Sequence, residues 1–553
     1  MASVLTWEEL VGAELHWLLV VTLRGQAYRF STVDLSVVDG SETLHFVRGL
    51  TPLEVLDSVA LPGGGISDQS AAVEVLFIDD TGSGWADLVS GDQDAGDGVA
   101  ELSLWKRGSE WSTRQVVLSG TLESLSYGAL HEPVSFTITG NPWEPSGQTI
   151  PEDGAQVSAD TWPREAYVGS WLIGDGLEEQ WYPTVFGRPG TGPLGNSYAA
   201  TPGLLVEIPS TGDNSTNHAT VLIAGHSTRA GETGAQVSID NRSTTGGSWP
   251  SNLVASLAKD QLGRVVTVCT WTGAPTVGTG AELWVSWPND EGGMPSMREP
   301  ATMRSAGEVL SYLMSLTGLD VDVAGLRALE PEIDGFLVDF HLNDQADAWD
   351  VLQDQLIPLL PITWWVGPRG LTARRWPYDA TLKDAVAHID TAQGCSRVSQ
   401  VQRSSAQEVV NRLGIEFAQN AETDNFIGRL VYAPSVRPDQ TGAELNPYSI
   451  MSSRRFGERQ AEDIAADLVC ETSTARAVLD WRIRWESSTR EKVVFDCPLQ
   501  FLALNPADVV TVTDSDLAWA DRLCIVTGVL RTPGPTTELH LVTVPDPIRD
   551  SPT

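Results

Sequence analysis

The chain has 553 residues, enough for about three to four domains at ordinary domain sizes. Its 73 Asp and Glu outnumber 35 Lys and Arg, a formal net charge of −38. That surface repels nucleic acid and anionic membranes instead of gripping them, and its plainest meaning is solubility.

The apolar run Leu15–Leu23 is preceded by Glu8, Glu9 and Glu14 where a basic leader would be needed, so a signal peptide is not expected. No run is long enough to span a bilayer, and folding in a cytoplasm is the expectation. Residues 1–150 are predicted to be mostly strand, a barrel or sandwich, with candidates at 18–22, 73–78, 115–118 and 134–139. The acidic stretch 92–98 is expected to be a loop, and 140–163, punctuated by Pro142, Pro145, Pro151 and Pro163, a linker.

Residues 151–300 are richer in Gly, Ser and Thr and read as a second β module, inserted or accessory. Strands are expected at 204–208, 219–223 and 264–270, another carries Trp284 and Trp287, and 182–187 is extended. The 20 Trp outnumber 12 Phe and 9 Tyr. Their strand-like contexts suit half-buried sheet faces and protein contacts.

Residues 301–395 change to an α+β pattern. Ser305 and Glu308 have the spacing of a capping box. Val309, Leu310, Leu313 and Leu316 follow at helical spacing, and Gly318 is placed to end that helix. A second helix is expected after Asn343, with Trp349, Leu352 and Leu356 on one face and Pro358 as its stop. The runs 362–366 and 371–376 flank Gly367-Pro368-Arg369-Gly370, a hairpin signal. Adjacent Trp364 and Trp365 should face opposite sides of their strand, one inward and one outward.

Residues 396–553 return to strand around a predicted helix pair at 458–470 and 474–485. Strands are expected at 398–402, 409–417, 492–499, 524–530 and 538–544. Asn505-Pro506-Ala507-Asp508 forms a turn that launches Val509, Val510 and Val512 into a strand, and Pro533-Gly534-Pro535 is a breaker.

Motifs that could carry chemistry fail on context. Gly190-Thr191-Gly192-Pro193-Leu194-Gly195 has the glycine spacing of a dinucleotide loop, but Pro189 and Pro193 interrupt the strand and helix it needs. Asp92, Asp94 and Asp97 lack the glycine of a calcium loop at its sixth position, and Ser103 stands in place of the bidentate Glu. His131-Glu132 has no second histidine, and Gly225-His226-Ser227 is no nucleophile elbow. Arg374-Arg375 is too small a basic patch for nucleic acid, and the sequons at Asn214 and Asn241 are read as chance. Cys269, Cys395, Cys470, Cys497 and Cys524 are odd in number and have no metal-knuckle spacing. Buried, reduced thiols are expected instead of disulfides or zinc.

Two blocks carry a family resemblance. One runs from Ser305-Ala306-Gly307-Glu308-Val309-Leu310 through Asp334-Gly335-Phe336-Leu337-Val338-Asp339-Phe340 and Ala348-Trp349-Asp350-Val351-Leu352 to Leu356-Ile357-Pro358-Leu359-Leu360-Pro361. The other runs from Ser453-Arg454-Arg455-Phe456-Gly457 to Pro506-Ala507-Asp508-Val509-Val510-Thr511-Val512-Thr513-Asp514. Both resemble the tail-hub proteins, of tail-tip or baseplate-hub type, of long-tailed bacteriophages. The resemblance implies an α+β, predominantly β, multidomain fold: a barrel-like hub domain at 1–150, the β module at 151–300, a small α+β hub domain at 301–395, and a second barrel-like hub domain at 396–553. It implies a virion structural protein and no enzyme: a homotrimer whose two tube-type β-barrels per protomer adapt a sixfold tail tube to a threefold tip and line the DNA channel during genome ejection. Implied partners are the distal tail protein, tail tube, tape measure protein, and tail fibre or spike proteins. Assembly would occur in the host cytoplasm, with DNA passing transiently and without specific binding. The resemblance brings no catalytic, cofactor-binding or metal residues, and no receptor-binding extension beyond 553 is expected. Two other classes compete: a carbohydrate-binding β protein, motivated by the Trp count, and a multidomain glycan hydrolase.

Overall fold

The computed structural model describes residues 15–23, 26–51, 55–62, 70–76, 98–126, 133–140, 148–162, 171–173, 176–190, 201–209, 218–241, 252–272, 282–287, 292–298, 301–367, 369–436, 442–531 and 536–545. The acidic stretch 92–97, the Pro533 breaker and most of the 140–163 linker prolines lie outside them.

The first sheet contains β1 (Leu15–Leu23), β2 (Gln26–Ser31), β3 (Leu35–Asp39), β4 (Glu42–Arg48), β6 (Ser70–Val75), β7 (Val99–Lys106), β8 (Gln115–Ser126) and β9 (Val134–Gly140), in the order β3-β4-β2-β1-β7-β8-β9-β6. Period-2 patterning builds it: in β9, Val134, Phe136 and Ile138 are buried while Ser135, Thr137 and Thr139 are less so. Backbone hydrogen bonds close the row. The Gly49 amide donates to Ser31 O of β2 at 3.0 Å, Leu76 N donates to Gly49 O at 2.7 Å, and Thr51 N donates to Glu74 O of β6 at 2.9 Å. A Cβ on Gly49 would strike the Leu76 carbonyl oxygen, so closure needs glycine there. Closing a sheet removes its exposed edges.

An eight-stranded sheet ends the chain; its main path runs Ala387–Asp390, Val509–Asp514, Trp519–Arg531, Thr536–Thr543, Glu491–Pro498, Ser396–Arg397, and two further strands pair off it. Its core is Ile389, Phe495, Val510, Val512, Val526, Val529, Leu539 and Leu541, with three of the five cysteines. β5 (Val55–Ser58) leaves the first sheet and pairs antiparallel with the far end of Trp519–Arg531, Arg531 opposite Val55 and Gly528 opposite Ser58. Val59 N continues the ladder onto Thr527 O at 2.9 Å. The exchange is reciprocal: Leu502 of the terminal region is buried in the first barrel's core. The first barrel and the terminal sheet are therefore stitched together by backbone hydrogen bonds and shared apolar burial.

The middle module is a second closed sheet. The strands Thr201–Pro209, His218–Ala224, Val265–Thr272, Asn252–Lys259, Gln236–Asn241 and Leu283–Ser286 follow one another, and Leu283–Val285 pairs back with Thr201–Gly203. One face packs Leu205, Val221, Ile223, Ile239, Val285 and Trp287; the other packs Leu204, Val206, Leu222, Val266 and Val268 under Trp162 and Tyr182. Trp162 Nε1 donates to the Tyr182 hydroxyl at 2.9 Å, and that hydroxyl donates to Asp260 at 3.2 Å. Trp162 and Trp287 are fully buried and serve as core.

In the α+β region the helix Ala306–Leu316 forms where expected and Gly318 takes φ +73° just beyond it. The capping box does not form. Ser305 is the N-cap residue, but its hydroxyl donates to Asp334 Oδ1, and Glu308 accepts from Ser296 Oγ at 2.8 Å and from the Met297 amide. Both side chains serve tertiary contacts that outcompete the local cap. The second helix begins later than Asn343: Asp347 caps Trp349 N at 2.8 Å, a π-helical stretch Val351–Leu356 follows, and Pro358 sits in the closing 3₁₀ turn. The helix Val323–Ile333 was not anticipated, because Pro331 near its end disguises it. The hairpin Ile362–Gly367 with Gly370–Arg375 forms as expected. Trp364 and Trp365 do take opposite faces, but both faces are covered. Trp364 stacks on Trp349 at 4.9 Å and is 2% exposed; Trp365 is 8% exposed.

The predicted helix at 458–470 is absent. A helix ends earlier, Pro447–Phe456, capped by Asn446 and stopped by Gly457 at φ +73°. Ile464–Ala466 is then a strand that pairs parallel with Ile415–Phe417. Strand addition to a waiting edge overrides the helical propensity of the Ala- and Glu-rich stretch. The helix Thr472–Glu486 is as expected, and buries Val478, Leu479, Trp481, Ile483 and Trp485.

Candidate functional site

Two constellations join the parts of the chain. The first is an ion-pair node. Arg304, just before the helix Ala306–Leu316, holds Asp339 with two hydrogen bonds of 2.9 and 2.8 Å and also reaches Glu471 at 2.6 Å. Arg188, at the edge of the middle module, binds Glu471 through its guanidinium at 2.7 Å and Asp339 through its backbone N–H at 2.8 Å. Asp339 N donates to Leu468 O at 2.9 Å, and Cys470 Sγ donates to Asp339 O at 3.0 Å. Asp339 is 1% exposed. Such a charge persists in a low-dielectric site only when paired and fully hydrogen-bonded. Burial opposes ionisation of Glu471, yet the two guanidiniums outweigh it and hold the carboxyl down at about 2. Burial likewise disfavours charge on Arg304, and its two carboxylates more than offset this.

The second is a cleft of about 660 Å³ walled by the start of β8, the helix Val323–Ile333, the hairpin and the turn before Val509–Asp514. Arg114 reaches Glu101 at 2.8 Å with its guanidinium 3.9 Å above Trp111. Arg369 pairs with Asp322 at 2.8 Å, and Asp322 caps Gly325 N at 3.1 Å. Arg374 donates to Pro506 O at 2.9 Å and to Asp508 at 3.2 Å. Burial pushes the Asp508 carboxyl up against the pull of Arg374. The turn matches expectation: Asp508 N donates to Asn505 O at 3.1 Å while the Asp508 side chain accepts from Asn505 N at 2.8 Å. Asp322 and Asp508 bind arginines and backbone donors, so the cleft holds three elements in register.

Most of the motifs weighed in the sequence lie outside the described residues. Gly190 is described, in a turn at φ +103°, and 191–195 fall outside the described residues. Asp92, Asp94, Asp97, His131, Glu132 and both sequon hydroxyls also fall outside; Ser103 is buried within β7. His226 is structural: Nε2 accepts from Val185 N at 2.9 Å and Nδ1 donates to Ser227 O at 2.8 Å, while burial pushes it down to about 4. Arg374 and Arg375 serve separate acids, the latter Asp379 at 2.8 Å. All five cysteines are buried thiols. Among the described residues no cluster of three or more His, Cys, Asp or Glu could hold a metal, and no helix is long and apolar enough to cross a membrane. The ion-pair node escaped the sequence reading because its members come from four distant segments and carry no local motif.

Residues 369–525 match the model of a family described as "Putative phage tail protein". The segment begins within the hairpin and ends inside the strand Trp519–Arg531 of the terminal sheet. No curated protein matches the chain. Among solved structures, the 43 kDa tail protein of prophage MuSo2 from Shewanella oneidensis is 9% identical over 95% of this chain and 98% of that one, with a TM-score of 0.37. A tail protein from Neisseria meningitidis MC58 is 9% identical over 96% and 97%, with a TM-score of 0.36. A chain of a native gene transfer agent virion is 13% identical over 50% and 80%, with a TM-score of 0.17. At these identities and scores the solved neighbours carry no weight beyond general likeness.

Proposed function

We propose that the chain, whose residues 369–525 match a phage-tail family model, is a tail structural protein that forms the hub at the distal end of the tail tube. The carrying observation is that the two barrel regions are joined as one unit by β5, which leaves the first and completes the ladder of the second. A protomer with two barrels held by backbone hydrogen bonds is the part from which three copies present six barrel faces to a sixfold tube. Threefold closure needs heterologous interfaces that return on themselves. The division near 150, 300 and 395 gives two hub barrels, an accessory β module and an α+β connector, with the ion-pair node tying the last three together.

In this reading the homotrimer contacts the distal tail protein, the tail tube, the tape measure protein and the fibre or spike proteins, resides in the virion tail, and is assembled in the host cytoplasm. Its role is structural, and no catalytic step is assigned to it. The net charge of −38 supports a channel wall along which DNA slides without adhering. The test is the mass in solution, followed by imaging. A particle of three times the 59.6 kDa protomer with an axial channel is expected. A monomer that neither closes into a ring at high concentration nor binds tail tube or distal tail protein overturns the proposal. Retention of duplex DNA at low salt would reject the sliding wall separately.

A further inference from the structure

Cys395 and Cys497 lie 102 positions apart in a sequence whose cysteine spacing shows no framework, yet the barrel brings them face to face. The strand Ser396–Arg397 pairs antiparallel with Glu491–Pro498, Ser396 opposite Asp496 and Arg397 opposite Phe495. The same register continued by one residue sets Cys395 opposite Cys497. Both side chains lie in the core of the terminal sheet, at 4% and 0% exposure. Directly opposed antiparallel residues have Cα atoms ~4.5–5.5 Å apart, within the ~4.4–6.8 Å that a disulfide spans. The other three cysteines have no such arrangement: Cys269 sits in the middle module, Cys470 donates to Asp339 O, and Cys524 lies on another strand.

We propose that Cys395 and Cys497 are a dithiol site that a small-molecule disulfide oxidises to a cross-strand disulfide, fastening the last strand of the terminal barrel to its neighbour. The two thiols are not equivalent. Cys395 adjoins the two-residue strand Ser396–Arg397 at the end of the sheet order, while Cys497 lies within the eight-residue strand Glu491–Pro498. Cys395 is therefore assigned as the attacking group. Its thiolate attacks one sulfur of the small disulfide, forming a mixed disulfide and releasing one small thiolate. Cys497 then gives up its proton and attacks the Cys395 sulfur, forming the protein disulfide and releasing the second small thiolate. Two electrons pass from the protein to the small disulfide, which leaves as two thiols.

Entry is through the short strand. Ser396–Arg397 is two residues long and stands last in its sheet; Val398 N bonds Val494 O at 3.0 Å and Val494 N bonds Ser399 Oγ at 2.9 Å just beyond it. Lifting these few bonds uncovers Cys395 without unfolding the barrel. Resting on the tail-hub reading, the pair would stay reduced during cytoplasmic assembly and close once the particle meets an oxidising exterior. The chemistry itself does not depend on that reading, so the two can fail separately.

The test uses the full chain, refolded and then incubated in buffers that step from reduced to oxidised glutathione. The expected result is a loss of two hydrogens in intact mass, a fall from five free thiols to three, and a cross-linked peptide joining the segments of 395 and 497. Cys497→Ala should instead accumulate one glutathione on Cys395, and Cys269→Ser should leave the cross-link unchanged. Five free thiols after refolding in fully oxidised glutathione, or a cross-link that joins any other pair, overturns the proposal.

Discussion

Replacing Arg304 by Met tests the ion-pair node most directly. Methionine retains an unbranched stem of similar reach, so packing is largely kept while the guanidinium is removed. Asp339, 1% exposed, then loses two hydrogen bonds and its counter-charge. Stripping one partner from a buried ion pair costs ~3–5 kcal/mol. Here Arg188 stays: its N–H still donates to Asp339 at 2.8 Å, and its side chain still holds Glu471 at 2.7 Å. The expected cost is therefore at the low end, about 3 kcal/mol. Adding Asp339→Asn removes the stranded charge, so the double variant should be about 1–2 kcal/mol more stable than the sum of the singles predicts. Urea titration followed by tryptophan fluorescence reads both quantities, with Trp481 and Trp485 on the helix that begins beside Glu471. An Arg304→Met midpoint indistinguishable from the parent, less than ~0.5 kcal/mol away, would show that the node is no more than a surface contact.

Acid should attack the same node. Glu471 has its folded value depressed to about 2 from an ordinary 4.5, so its contribution is complete above the upper value and disappears as pH falls through the lower. With its side chain 26% exposed and partly screened by solvent, that contribution is about 1–2 kcal/mol, and Glu471→Gln should flatten the stability profile between pH 4.5 and 2. His226, pushed down to about 4 from 6.5, also favours the folded state less as pH falls through that range, because the unfolded chain takes up the proton first. Blocking this by His226→Gln should lessen acid loss in the middle module, read by hydrogen exchange of 218–224. Val55→Asp puts a charge into the first barrel's core, where Val55 is 1% exposed, and should release β5. Protection of the amides at 528–531 should then fall, and unchanged exchange there would refute the stitching of the two barrels. Ala507 takes φ +69°, a conformation costing ~1–2 kcal/mol for a residue with a Cβ. Ala507→Gly should raise stability by about 0.5 kcal/mol after the extra unfolded-chain entropy of glycine is counted.

Elements specified by local pattern were legible in the sequence: Ala306–Leu316 with Gly318 behind it, the Gly367–Gly370 hairpin, the Asn505–Asp508 turn, and the β-branched strands around it. What escaped were features decided at long range. The stretch 458–470 has helical composition, but a vacant strand edge at Ile415–Phe417 claims it. Ser305 and Glu308 have capping spacing, yet Asp334, Ser296 and Met297 engage them instead. Alternation assigns Trp364 and Trp365 to opposite faces but cannot say that both faces are roofed. Arg188, Arg304, Asp339 and Glu471 are ordinary residues in sequence and become a site only when four segments meet.

The position of β5 also orders the birth of the molecule. Val55–Ser58 leaves the ribosome early, while the strand that receives it, Trp519–Arg531, is made almost at the end. The nascent chain carries one unsatisfied ladder through nearly all of translation, and only a finished chain can retire it. Truncated products therefore lack the junction that joins the first barrel to the terminal sheet.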